Sequence, residues 1–137
     1  MAYWLFKEEP DHYSLEHLFR DKRTVWDGVK NNLALKHLRS VHKGDRVLYY
    51  HTGTEKAVVG VMEVVRGPYR DPASDDSRFV VVDVRPIRRL DRPVSLTEIK
   101  SNPKFADFAL VRISRLSVMP VSDEQWAEIE RLSKQDS

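Results

Sequence analysis

Apolar and polar positions change period several times along the 137-residue chain. "YWLF" (3–6) is a short aromatic and apolar run closed by "KEEP", where Pro10 halts regular pairing, which predicts a strand. Ser14 can cap a short helix reaching about Arg20, with Glu16 in its first turn. Asn31 or Asn32 can cap a second helix, with Ala34, Leu38 and Val41 on one stripe and Lys36, Arg39 and Lys43 on another face. "RVLYYHT" then alternates Val47, Tyr49 and His51 against Leu48, Tyr50 and Thr52, and "GTE" returns it into "KAVVGVMEVV" (56–65), a hairpin pattern.

Further on, "GPYRDPASDDS" has the composition of a loop. "RFVVVDVRPI" reads as a strand with Val80, Val82 and Val84 on one face. Two helix starts carry capping boxes: Ser95 with Glu98, stapled by Val94 and Ile99, and Ser122 with Gln125, stapled by Val121 and Trp126. The last helix should run from Asp123 to about Leu132, and "FALVRISRLSVMPV" before it should supply one or two strands. Neither an internal repeat nor a linker interrupts the pattern. The expectation is one α+β domain over 1–137, on a curved and mostly antiparallel sheet.

Composition narrows the classes. Hydrophobic content of 41% with 32% charged residues is ordinary for a globular domain. The absence of cysteine excludes disulfides, thiolate metal sites and a cysteine nucleophile. No run has the length of a membrane helix, and the N-terminal residues lack the basic-then-apolar order of a signal peptide, so a cytoplasmic protein with no membrane partner is expected. No coiled-coil pattern argues against a monomer. Net charge is only +2, yet from Arg20 to Arg46 eight Lys and Arg side chains stand against three aspartates. "RPIRRLDR" adds a second basic cluster at Arg85, Arg88, Arg89 and Arg92; such clusters raise the local potential toward an anionic ligand.

The five histidines lack helical metal-ligand spacing, and neither a phosphate-binding glycine loop nor a nucleophile elbow is present. No metal or cofactor is therefore expected. Lys7 with Glu9 or Glu63 is the one conceivable proton-transfer pair, for which a structural salt bridge is the alternative. Trp4, Trp26, Tyr49, Tyr50, Asn31, Asn32, His51 and Thr52 fall at strand ends or helix starts, where a barrel-like sheet opens a pocket. Aromatic faces beside amides and hydroxyls suit a flat base, although core packing and helix capping use the same residue types.

"YWLFKEEP", "WDGVKN", "KGDRVLYYHT", "VVGVMEVV", "RPVSLTEIK" and "SRLSVMPVSDEQW" follow one another as they do in EVE-domain proteins, and the chain resembles that family over nearly its whole length. The resemblance implies a PUA-like twisted pseudo-barrel with short peripheral helices. It also implies a non-catalytic module that takes a flipped, modified base of DNA or RNA. By the same resemblance the pocket residues are Lys7, Glu9, Trp26, Asn31, His51, Thr52, Arg115 and Ser117. Trp26 would stack, Asn31, Thr52 and Ser117 would read the base edge, and Lys7 and Arg115 would meet phosphate or a base carbonyl. Lys36, Arg39 and Lys43 would form the face toward the nucleic-acid backbone. Trp26→Ala is expected to weaken binding and leave the fold intact. Where relatives carry an aromatic and a cation, this chain has Asn32 and Leu35. Two rival readings are a protein-interaction module with a vestigial pocket and an ASCH-like amidohydrolase using Lys7 with Glu9 or Glu63.

Overall fold

The computed structural model describes residues 1–135, so the last two residues of the expected 1–137 domain lie outside the described residues. Six strands form one mixed sheet in the order β2-β5-β4-β3-β1-β6. They are β1 (Tyr3–Glu8), β2 (Thr24–Trp26), β3 (Arg46–His51), β4 (Ala57–Arg70), β5 (Val80–Ser95) and β6 (Val118–Val121). The helices are α1 (Leu15–Asp21), α2 (Asn32–Arg39), α3 (Leu96–Lys100), α4 (Ala109–Arg112) and α5 (Asp123–Ser133), with a 3-10 turn at Pro103–Phe105. β1 and β3 run parallel because α1, β2 and α2 cross over between them; the other pairings are antiparallel.

The sheet is rolled rather than flat. Trp26 lies on β2 at one edge, yet its ring centroid is 5.5 Å from that of Phe6 on β1 and 5.2 Å from that of Tyr49 on β3. Only curling brings strands so far apart in the sheet order into contact. Register shifts along β4 and β5 supply the bending. At Gly60, a Cβ would stand 2.5 Å from Leu15 Cδ2 and 2.9 Å from the Arg88 carbonyl, so only glycine lets α1 sit this close to the sheet.

Several boundaries differ from the sequence pattern. β4 continues through Gly67–Arg70, where a loop was expected, because Gly67 adopts a φ of +102° and Tyr69 and Arg70 pair with Val81 and Val80. β5 likewise runs on to Ser95, so the arginine cluster is strand. Ala109–Arg112 is helical rather than extended, with Leu110 sealed in the core, and "SVMPV" contributes only the short β6. α2 starts at the Asn31 cap, whose Oδ1 accepts the Ala34 N–H at 3.0 Å, and ends at Arg39. Val41 is buried past its end and Lys43 lies in the following turn, off the helix. Both capping boxes form as expected, and α5 occupies its expected span.

Candidate functional site

β1 separates two cavities because neighbouring residues of a strand point to opposite faces. Phe6 and Glu8 face the rolled interior, and Lys7 faces outward from it.

The first cavity, about 230 Å³, opens at the mouth of the roll and is lined by Glu8, His12, Tyr13, Thr24, Val25, Trp26 and Asp27. Trp26 is 5% exposed, edge-on to Tyr49 and tilted against Phe6, so its ring is anchored in the core while contributing to the cavity wall. That burial adds a cost to Trp26→Ala: removing a buried indole destabilises by about 3–5 kcal/mol, so the substitution would weaken the fold as well as alter the cavity. Glu8 Oε1 accepts the Glu9 backbone N–H at 2.9 Å and lies 3.2 Å from His12 Nδ1. Tyr49 donates its hydroxyl proton to the Tyr13 carbonyl, and burial, helped by the Glu8 carboxylate, pushes its pKa far above the phenolic range. It therefore stays a neutral donor.

The second cavity, about 280 Å³, lies beyond the other face of β1 and includes Lys7, Tyr50, Thr52, Lys56, Lys100 and Ser114 among its lining. Lys7 Nζ donates to the Ser114 carbonyl at 2.9 Å, and its backbone N–H donates to the Ser117 carbonyl at 2.9 Å. Burial lowers the Lys7 pKa from its ordinary value and raises that of Tyr50 to about 12. Thr52 is held by its N–H to the Glu8 carbonyl at 3.0 Å.

The expected site residues thus divide. Lys7 and Thr52 share the second cavity; Ser117 is bonded to the Lys7 backbone, and Arg115 adjoins Ser114 on an exposed turn. Exposed Glu9 reaches the rim, its Oε1 3.6 Å from where a Cβ on Gly53 would stand. Trp26 belongs to the first cavity, and Asn31 spends its carbonyl oxygen on the α2 cap. His51 is 7% exposed, its Nε2 accepting the Leu15 N–H at 3.1 Å and its Nδ1 lying 2.7 Å from Glu55 Oε1, so both ring nitrogens are committed to structure.

Glu63 is held by Arg85 at 2.8 Å and Arg46 at 3.6 Å, and pairs with the start of β3 while Lys7 pairs with its end. The structural salt bridge is the reading that holds there, and no Lys7–Glu63 proton-transfer pair exists. The sequence reading missed Glu8, His12, Tyr13 and Asp27. Alternation along β1 was the available signal for Glu8, since it must share the face of Phe6. Among the described residues no three His, Asp or Glu side chains gather as metal ligands, and no helix is long and apolar enough to cross a membrane.

Residues 2–132 match the EVE domain family. Mouse thymocyte nuclear protein 1 is 30% identical over 158 residues, covering 90% of this chain and 70% of that protein. An NMR structure from Rhodopseudomonas palustris superposes with a TM-score of 0.92 at 38% identity, covering 97% of this chain and 93% of that one. The crystal structure of human THYN1 protein in complex with 5-methylcytosine-containing DNA superposes with a TM-score of 0.91 at 26% identity, covering 100% of both chains. The rolled sheet with its short helices is accordingly the PUA-like fold, and the chain belongs to the EVE domain family.

Proposed function

We propose that this domain binds nucleic acid and accepts a single modified base, turned out of its stack, in the cavity beside Trp26, without catalysing a reaction. The observation that carries the reading is that cavity itself, which joins an anchored indole to carboxylate acceptors at the open end of the roll. Support comes from the human relative, whose structure was obtained with DNA containing 5-methylcytosine. At about 230 Å³ the cavity has room to spare for a single pyrimidine ring with a methyl group.

Chemistry favours an amino-bearing base. Glu8 and Asp27 are acceptors, and carboxylates accept from the exocyclic amine of cytosine but have nothing to offer a thymine carbonyl. Flipping costs a few kcal/mol, which contact with the Trp26 wall and hydrogen bonds to the carboxylates would offset. Lys36, Arg39 and Lys43 are exposed and would contact the phosphate backbone. Lys7, Thr52, Arg115 and Ser117 would lie toward the strand that leads to the base rather than around the base.

The test is a binding series with short DNA and RNA carrying 5-methylcytosine, cytosine or thymine at one position. Tightest binding to the methylated cytosine is expected. Glu8→Gln should erode its preference over thymine by about 1–3 kcal/mol. Trp26→Phe, which keeps the core filled, should weaken the methylated target selectively. Equal affinity for all three bases in the unmodified protein would overturn the reading and return the search to protein partners.

A further inference from the structure

The cavity behind β1 has the chemistry of an anion site. Lys7, Lys56 and Lys100 bring three ammonium groups to it, and no carboxylate lines it. Glu9 stands at the rim with its carboxylate against Gly53, and one acid there against three ammonium groups leaves a surplus of positive charge. Lys7 is half-buried and uses one of its three N–H donors on the Ser114 carbonyl. Among the described residues none of the three lysines has a carboxylate partner; the ion pairs found involve Lys104 as the one lysine. An ammonium drawn out of water without a counter-charge is costly, and an entering anion offsets that cost.

A second observation concerns Lys56 itself. Its backbone sits at φ +46°, a region that side chains other than glycine, asparagine and aspartate rarely enter. Its carbonyl accepts the Leu96 N–H at 2.8 Å, which fixes this strained residue at the edge of α3. The chain thus places a cation at the cavity where glycine would be the relaxed choice, and such strain gathers where it serves a ligand. The hydroxyls of Tyr50 and Thr52 can add hydrogen bonds, while Leu110 and Val111 offer an apolar wall to whatever carries the anion.

We propose that this cavity is an oxyanion site that takes a phosphate monoester through Lys7, Lys56 and Lys100. Its three cations suit a dianion, and about 280 Å³ holds the phosphate with part of its organic body. The site is independent of base recognition, since β1 stands between the two cavities.

An amide-resolved NMR titration of the full chain at constant ionic strength tests it. The probes are inorganic phosphate, deoxycytidine monophosphate and deoxycytidine, followed at the amides of Thr52, Gly53 and Ser114. The two phosphates should shift these amides saturably, and deoxycytidine should not. Lys56→Gly, which relaxes the backbone, and Lys100→Gln should each weaken phosphate at least about tenfold, with amides remote from the cavity unmoved. DNA that displaces phosphate identifies the nucleic acid's own phosphate as the ligand. DNA that binds alongside it identifies a free phosphorylated molecule. Phosphate shifts no larger than those from chloride, or unchanged affinity in both variants, would overturn the proposal. Either failure would leave base discrimination at the Trp26 cavity untouched and separately measurable.

Discussion

The arginines of β5 and the lysines beside α2 look equivalent in sequence, as two runs of positive charge, and they are used in opposite ways. Arg85 pairs with Glu63 of β4 at 2.8 Å, Arg89 with Glu16 of α1 at 2.6 Å, and Arg92 with Glu98 of α3 at 2.7 Å, while Arg88 pairs with Glu130 of α5. Each carboxylate comes from a different element, so this cluster fastens helices and a neighbouring strand to β5. The potential expected there from "RPIRRLDR" is largely neutralised. Lys30, Lys36 and Lys43, by contrast, are exposed and have no carboxylate partner among the described residues. The division follows side-chain chemistry: a guanidinium fork matches a carboxylate with two parallel bonds, and an ammonium remains a hydrated point charge. Positive charge in a sequence becomes binding potential only where the fold leaves it unpaired.

The largest effect that would break this comparison lies in salt dependence. Replacing Lys36, Arg39 and Lys43 together by Gln should flatten the slope of log affinity against log salt by about 2.7, at about 0.9 for each phosphate that is no longer neutralised. Replacing Arg85 and Arg89 by Gln should leave that slope unchanged, because their charge is already matched. The two slopes, measured on one DNA, would refute the division if both moved or neither did.

A smaller effect should appear in stability on the arginine side. Arg92 donates to both Glu98 oxygens at 2.7 and 2.9 Å, and to the carbonyls of Leu132 and Gln135 at 2.8 and 3.0 Å, tying α3 and the end of α5 to β5. Arg92→Gln should lower denaturant stability by about 1 kcal/mol, below the usual value for bonds to a charged group because the site is partly solvated. Arg89→Gln removes a more exposed pair and should change the midpoint less. A reversed order would mean that α3 and α5 are held by apolar packing alone.

The sequence made the helix starts legible because a capping box is a local device: Ser95 with Glu98 and Ser122 with Gln125 need no distant partner. The hairpin strands were legible for the same reason. Hidden from view were features that depend on the roll of the sheet. Nothing near Trp26 announces that Phe6 and Tyr49 will close upon it, so its stacking face was expected to be freer than its burial allows. Leu35, where the family resemblance implied a cation, is 1% exposed and belongs to the core. Ala109–Arg112 read as strand because a short apolar run has no period long enough to decide between helix and strand. The candidate residues were legible only as residue types at strand ends; which of them share a cavity is decided by alternation along β1.

Acid titration gives the finest test of the comparison, because it acts on carboxylates that arginines hold and spares lysines that hold none. Glu128 is buried and accepts from Arg131 twice at 2.7 Å and from Asn102 at 2.7 Å. These bonds, with Arg131 foremost, lower its pKa from the ordinary 4.5 to about 2. Arg92 and Arg89 similarly hold Glu98 and Glu16 below the usual range. A carboxylate whose folded pKa is depressed contributes its full stabilisation above the unfolded value and loses it as pH falls through the folded one. Stability should therefore hold above about pH 4.5 and decline toward about pH 2. Glu128→Gln should flatten that decline, since its paired carboxylate is gone at every pH. The Lys36, Arg39 and Lys43 variant should keep the parental acid profile, having no carboxylate partner to lose. A decline equally steep in the Glu128→Gln protein would locate the acid sensitivity elsewhere and remove the arginine-held carboxylates as the fastening of this fold.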